Sequence, residues 1–101
     1  MRTSLAQRLS TDGRARVTDQ EVLALFTRVL RDLLGNDSIV LGMDTTRDDV
    51  PGWDSFMYVN FIVAVEMELG IRFRIADVEA FQTVGETVAE ARGLLGRKPE
   101  R

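Results

Sequence analysis

The 101-residue chain has no cysteine and no histidine, and its lone lysine is Lys98. Without cysteine there is no disulfide framework, no thiolate nucleophile and no thiolate metal site. Without histidine the commonest general base and the commonest zinc ligand are both missing. Lys98 lies in a polar C-terminal stretch, a poor place for a desolvated Schiff-base amine. A self-contained enzyme would have to work with carboxylates, hydroxyls, Tyr58 and arginines, so catalysis by this chain alone is disfavoured. Long apolar runs are also missing, because Glu66 and Glu68 interrupt the longest one well short of a membrane span. No apolar block follows Arg2 and Arg8, so a secretory signal is not expected. The expectation is a soluble, cytoplasmic protein.

What is present fits one small domain. Apolar residues make up 45% and charged residues 29%, a globular balance outside the disordered range. The net charge of −3 conceals a division. Residues 1–16 carry four arginines against Asp12, and residues 92–101 carry Arg92, Arg97, Lys98 and Arg101 against Glu100. Between them, residues 17–91 hold fourteen acids against five arginines. So acidic a body repels nucleic acid and attracts basic partner surfaces. The basic ends read as tails, which places flexible segments at 1–17 and 97–101 around a domain at 18–96.

Helix signals are plain. Thr18 and Glu21 form a capping-box pair ahead of Val22, Phe26, Val29 and Leu33, with Leu23, Leu30 and Leu34 widening the stripe and Gly35 as a stop. This predicts a helix over 19–34. Residues 35–53 read as a long loop punctuated by Gly35, Gly42, Pro51 and Gly52 and packed down through Ile39, Leu41, Met43, Val50 and Trp53. Its acids Asp44, Asp48, Asp49 and Asp54 do not make a calcium loop. Counted from Asp44, position six is Asp49 instead of glycine and position twelve is Ser55 instead of glutamate. Asp54 can cap a second helix over 55–69, closed by Gly70. A short helix is expected around Asp77–Phe81, and Thr83 with Glu86 opens a last helix through Val84, Val88, Ala91 and Leu95. The fold class is all-α, a small bundle of three main helices plus one short one.

The second helix is apolar on two sides. At 100° per residue, Tyr58, Phe61, Ile62, Val65 and Leu69 form one stripe, while Phe56, Val59, Val63 and Met67 form another roughly opposite. The second stripe is either sandwiched inside the bundle or left exposed for a partner. Ser55 stands beside it at the helix start, where unpaired N–H groups and the helix dipole favour a phosphate. Nothing in the chain can activate this serine as a hydrolase nucleophile, which suits modification by another enzyme.

The stretch Gly52-Trp53-Asp54-Ser55-Phe56, with Val59, Phe61, Ala64, Val65, Glu66 and Leu69 after it, resembles the acyl carrier protein family. The likeness covers about three-quarters of the chain. It implies that Ser55 carries a 4′-phosphopantetheine arm, that Asp54 is the acid preceding the attachment serine, and that Phe56 replaces the family's leucine. It also implies a phosphopantetheinyl transferase as one partner and acyl-loading, condensing or acyl-transferring enzymes as others. Docking would then use Phe56, Met57, Val59, Asn60, Val63, Glu66 and Met67. Met57 and Asn60 stand where carriers of fatty acid synthesis have acids, and the Gly-Trp-Asp-Ser lead-in is more like carriers of dedicated pathways. The resemblance implies a monomeric, stand-alone carrier and no enzyme. An aminoacyl or peptidyl carrier and an unmodified helical adaptor remain as alternatives. Because the basic N-terminal segment shows no amphipathic period, deleting residues 1–16 is expected to move the melting midpoint by only a few degrees, within about 1 kcal/mol for a domain of this size. Loss of cooperative unfolding in a thermal melt would show that Leu5 and Leu9 pack.

Overall fold

The computed structural model describes residues 17–96; residues 1–16 and 97–101, and the tail assignments made there, lie outside the described residues. Among the described residues four α-helices follow one another: α1 (Asp19–Leu34), α2 (Ser55–Leu69), α3 (Ile75–Ala80) and α4 (Val84–Gly96), with a 3-10 turn at Arg47–Asp49 in the long α1–α2 loop. No strand occurs among the described residues. The predicted bounds of α1 and α2 hold because their caps form. The Thr18 hydroxyl accepts from Glu21 N while the Glu21 carboxylate accepts from Thr18 N, and Gly35 closes α1 at φ 64°. The Asp54 carboxylate accepts from Met57 N at 2.9 Å, and Gly70 closes α2 at φ 68°.

Helix α1 packs against both α2 and α4. Its buried side chains are Val22, Leu25, Phe26, Val29 and Leu30. The stripe is thus turned toward Leu25, while Leu33 is only half-buried, because α1 has two neighbours to cover instead of one. The core joins these to Phe61, Ile62, Val65 and Leu69 of α2 and Val84, Val88, Ala91 and Leu95 of α4. An edge-to-face chain of rings runs through it, Phe26 to Phe61 at 5.3 Å and Phe61 to Trp53 at 5.1 Å between centroids.

Three details correct the sequence reading. The short helix begins at Ile75, two residues before the expected Asp77, because Asp77 serves in its first turn, paired there with Arg74, rather than opening it. Val17, read as tail, is buried, and its carbonyl accepts from Arg92 Nε at 2.9 Å. Arg92, read with the basic C-terminal end, also pairs with Asp19 at 2.9 Å, which closes the start of α1 onto α4. At the head of α4, Thr83 Oγ1 accepts from Glu86 N as expected, but the returning Glu86 carboxylate takes Gln82 N, one residue before the cap.

The long loop is packed down as its apolar content predicts, with Ile39, Leu41, Val50 and Trp53 buried. Its backbone is then fastened to the head of α4: Val84 N donates to Thr45 O at 2.8 Å and Gly85 N to Met43 O at 2.7 Å. The second bond requires the glycine, since a Cβ at position 85 would stand 2.7 Å from Met43 O. On an open helical surface Gly→Ala gains up to about 1 kcal/mol. Here the forced backbone shift dominates, at about 1–3 kcal/mol. Gly85→Ala is therefore expected to lower stability in urea unfolding by about 1–2 kcal/mol, and an unchanged or raised midpoint would contradict the contact.

Candidate functional site

The site is built outward from Trp53. The indole is buried at 5% exposure, stacked edge-on against Phe61 and, at 6.2 Å, against Tyr58. Asp54 turns the chain from extended into helical conformation, and Ser55 then emerges exposed as the first residue of α2. Met57 N and Tyr58 N already have acceptors in the Asp54 carboxylate and carbonyl, whereas the N–H groups of Ser55 and Phe56 have none among the described residues. An exposed hydroxyl with free donors at the positive end of a helix is chemically suited to bear a phosphate ester.

The two stripes of α2 have separate fates. Phe61, Ile62, Val65 and Leu69 are buried, and Tyr58 is half-buried. Phe56, Val59, Val63 and Met67 are 71%, 55%, 47% and 77% exposed, so the second stripe is not sandwiched in the bundle. Of the other residues expected to dock partners, Met57 is half-buried and packs against the core, and half-buried Asn60 has Nδ2 3.8 Å from the Met57 sulfur. Glu66 is not a free surface acid: its carboxylate accepts from Phe73 N at 2.8 Å and pins the α2–α3 connector. Glu68 pairs with Arg28 of α1 at 3.4 Å. The acids of α2 after Asp54 are thus both engaged within the chain.

A groove of about 520 Å³ runs beside the strip, bounded by α2 and α3. Ser55 stands at one end, Val59, Ile62 and Val63 form one wall, and Ile75 and Val78 form the other. The Tyr58 hydroxyl donates to Val78 O at 2.7 Å and ties the two helices together. Arg47, from the 3-10 turn, lies over the Tyr58 ring with its guanidinium carbon 4.9 Å from the centroid. Burial raises the phenol's pKa above its ordinary value, and the Arg47 charge acts in the opposite direction. Sequence periodicity gave no sign of this groove. Arg47 and Ile75 reach it from a loop and from the start of a short helix, and only the 76% exposure of an isoleucine marks Ile75 in retrospect. Among the described residues no three acidic side chains gather as a metal site, and no helix is long and apolar enough to cross a membrane.

Residues 20–91 match the family model described as the phosphopantetheine attachment site. A solution NMR structure of the holo acyl carrier protein from Geobacter metallireducens is similar to this chain, with a TM-score of 0.68 and 30% sequence identity over 73% of this chain and 85% of that one. No curated protein matches. The arrangement at the head of α2 fits the implied prosthetic group: an exposed hydroxyl, a groove leading from it, and a cysteine-free chain whose thiol has to come from outside. By sequence match, fold and site chemistry together, the chain belongs to the phosphopantetheine-binding acyl carrier protein family, a carrier rather than an enzyme.

Proposed function

We propose that this protein carries acyl groups in a dedicated pathway of modified lipid or polyketide synthesis, with Ser55 as the attachment residue. The observation that carries the reading is the exposed Ser55 hydroxyl at the N-terminus of α2 and at the end of the α2–α3 groove. In the loading reaction a phosphopantetheinyl transferase joins the Ser55 oxygen to the phosphopantetheinyl group of coenzyme A. The Ser55 proton is lost, the pyrophosphate bond of coenzyme A breaks, and the adenosine bisphosphate half leaves. Once bound, the arm supplies the thiol that this chain lacks, on which cargo is held as a thioester.

The chain's own residues do the positioning. Trp53 fixes where α2 begins, Asp54 secures its first turn, and the groove walls of Val59, Ile62, Val63 and Ile75 offer apolar cover next to the attachment point. Phe56, Val59, Val63 and Met67 form the surface on which the transferase and the acyl-loading, condensing or acyl-transferring enzymes dock. Support for a dedicated rather than a housekeeping role comes from the chemistry of that face. It presents exposed Phe56 and half-buried Asn60 in the first two turns, and both later acids of α2 are occupied by the chain itself. The carrier acts as a monomer in the cytoplasm on this reading. An aminoacyl cargo uses the same machinery and would be recognised by the mass of the thioester on protein from its native cell.

Ser55→Ala is expected to abolish labelling by coenzyme A and a broad-specificity transferase, read as intact mass, while leaving the helical circular dichroism unchanged. A labelled Ser55→Ala protein would place the attachment elsewhere, and an unlabelled wild type would favour the adaptor reading. The docking strip is tested by paired substitutions. Val63→Asp places a charge on a half-exposed position and should cost about 1 kcal/mol or less. Val65→Asp places it at a fully buried position, where an unpaired carboxylate costs several kcal/mol and threatens so small a domain. Val63→Asp should nonetheless slow loading, because the transferase loses an apolar contact at the centre of the strip. Equal destabilisation of the two variants in denaturant would show that the strip is internal.

A further inference from the structure

The described residues contain six arginines, and four are held by their own chain. Arg28 pairs with Glu68, Arg74 with Asp77 and Arg92 with Asp19, while Arg31 Nε donates to Ile39 O at 2.7 Å. The other two, Arg47 and Arg72, have no acidic or carbonyl partner for their side chains among the described residues, and both line the groove that begins at Ser55. In a domain with so large an excess of acids, an arginine without an acidic partner in the groove and close to Ser55, as Arg47 is, points to an anionic ligand there.

We infer that Arg47 is a phosphate anchor: its guanidinium receives the phosphodiester that joins Ser55 to its arm. The inference rests on Ser55 being the attachment residue. Arg47 lies on Tyr58, and Tyr58 is one turn beyond Ser55 on the same face of α2. That ring is a fixed platform, tied by its hydroxyl to Val78 O and packed at its edge on buried Trp53. The 3-10 turn that presents Arg47 is equally constrained, because Val50 N donates to Arg47 O at 3.1 Å and Thr46 N to the Asp49 carboxylate at 2.9 Å. With one face of the guanidinium on the ring, its N–H edges are left to donate to phosphate oxygens. A compensating cation is needed there. Asp54 directly precedes Ser55, and a phosphodiester on Ser55 meets the like charge of its carboxylate. Arg72 cannot serve in the same way, since it follows the C-terminal end of α2, roughly 20 Å of helix from Ser55. It therefore provides an internal control.

The test compares apo protein with holo protein made from coenzyme A and a broad-specificity transferase, with no acyl group loaded and modification confirmed by intact mass. The reporters are the Arg47 and Arg72 Nε–H signals in nitrogen–proton NMR spectra and the phosphorus signal of the arm. On modification the Arg47 Nε–H signal is expected to shift and its exchange with water to slow several-fold, while the Arg72 signal stays in place. In holo Arg47→Gln the phosphorus line should narrow as the phosphodiester gains freedom, with circular dichroism and melting close to wild type. Arg47→Lys should restore only part of the effect, because a point ammonium lacks the planar fork. An Arg47 signal identical in apo and fully modified protein overturns the inference, as does a phosphorus line in holo Arg47→Gln identical to that of wild type. If the mass shows no modification of wild type, the reading of Ser55 fails first, and that failure is visible without any NMR signal.

Discussion

The geometry of this carrier depends on the burial of Trp53. The indole lies two residues before Ser55 and stacks on Phe61 and Tyr58, so the chain is nailed to the core immediately before it turns outward into α2. The anchor leaves the buried indole N–H without an acceptor among the described residues. An unpaired buried donor costs about 1–3 kcal/mol, whereas covering an aromatic of this size at roughly 25 cal/mol per Å² contributes about 4–6 kcal/mol. Packing wins, and the exposed serine is placed by a buried neighbour rather than by bonds of its own.

The same economy governs α2. Among the described residues, one side of this helix is covered by α1 and the long loop, and no element covers the other. Phe56, Val59, Val63 and Met67 therefore remain exposed, an apolar strip of the kind that marks interaction surfaces. Glu66 borders this face and Glu68 the core stripe, and each is spent on architecture. Glu66 fixes the connector that brings Phe73 and α3 against the core, and Glu68 ties α2 to α1. Residues 17–91 are acidic in sum, while the exposed strip of α2 is apolar. Long-range charge steers a basic partner in solution, whereas contact with an apolar face is one of burial.

Much of this was legible in the sequence, because local rules and tertiary structure agree on α1 and α2. Thr18 with Glu21, Asp54, Gly35 and Gly70 mark helix ends through bonds made within one turn, and the two stripes of α2 follow from its angular period alone. The family motif around Ser55 added the chemistry that spacing could not supply. What could not be read depends on partners far along the chain. Val17 is buried, and its carbonyl is held by Arg92, 75 residues later. Glu66 reads as a surface acid until the connector folds back to give it Phe73 N. The groove needs a loop arginine, a tyrosine and a short helix to converge, and no periodicity encodes that meeting.

That convergence also explains why the long loop is fastened so firmly. Gly85 and Val84 hold its backbone to the head of α4 at Met43 and Thr45, only a few residues before the turn that carries Arg47. Tyr58 receives Arg47 on its face and grips α3 through its hydroxyl, so the loop, α2 and α3 share one side chain at the groove. Movement of α3 would draw on the Tyr58–Val78 bond and, through the ring, on Arg47. A groove wall and Arg47 are thereby coupled through a single aromatic ring, one turn from Ser55.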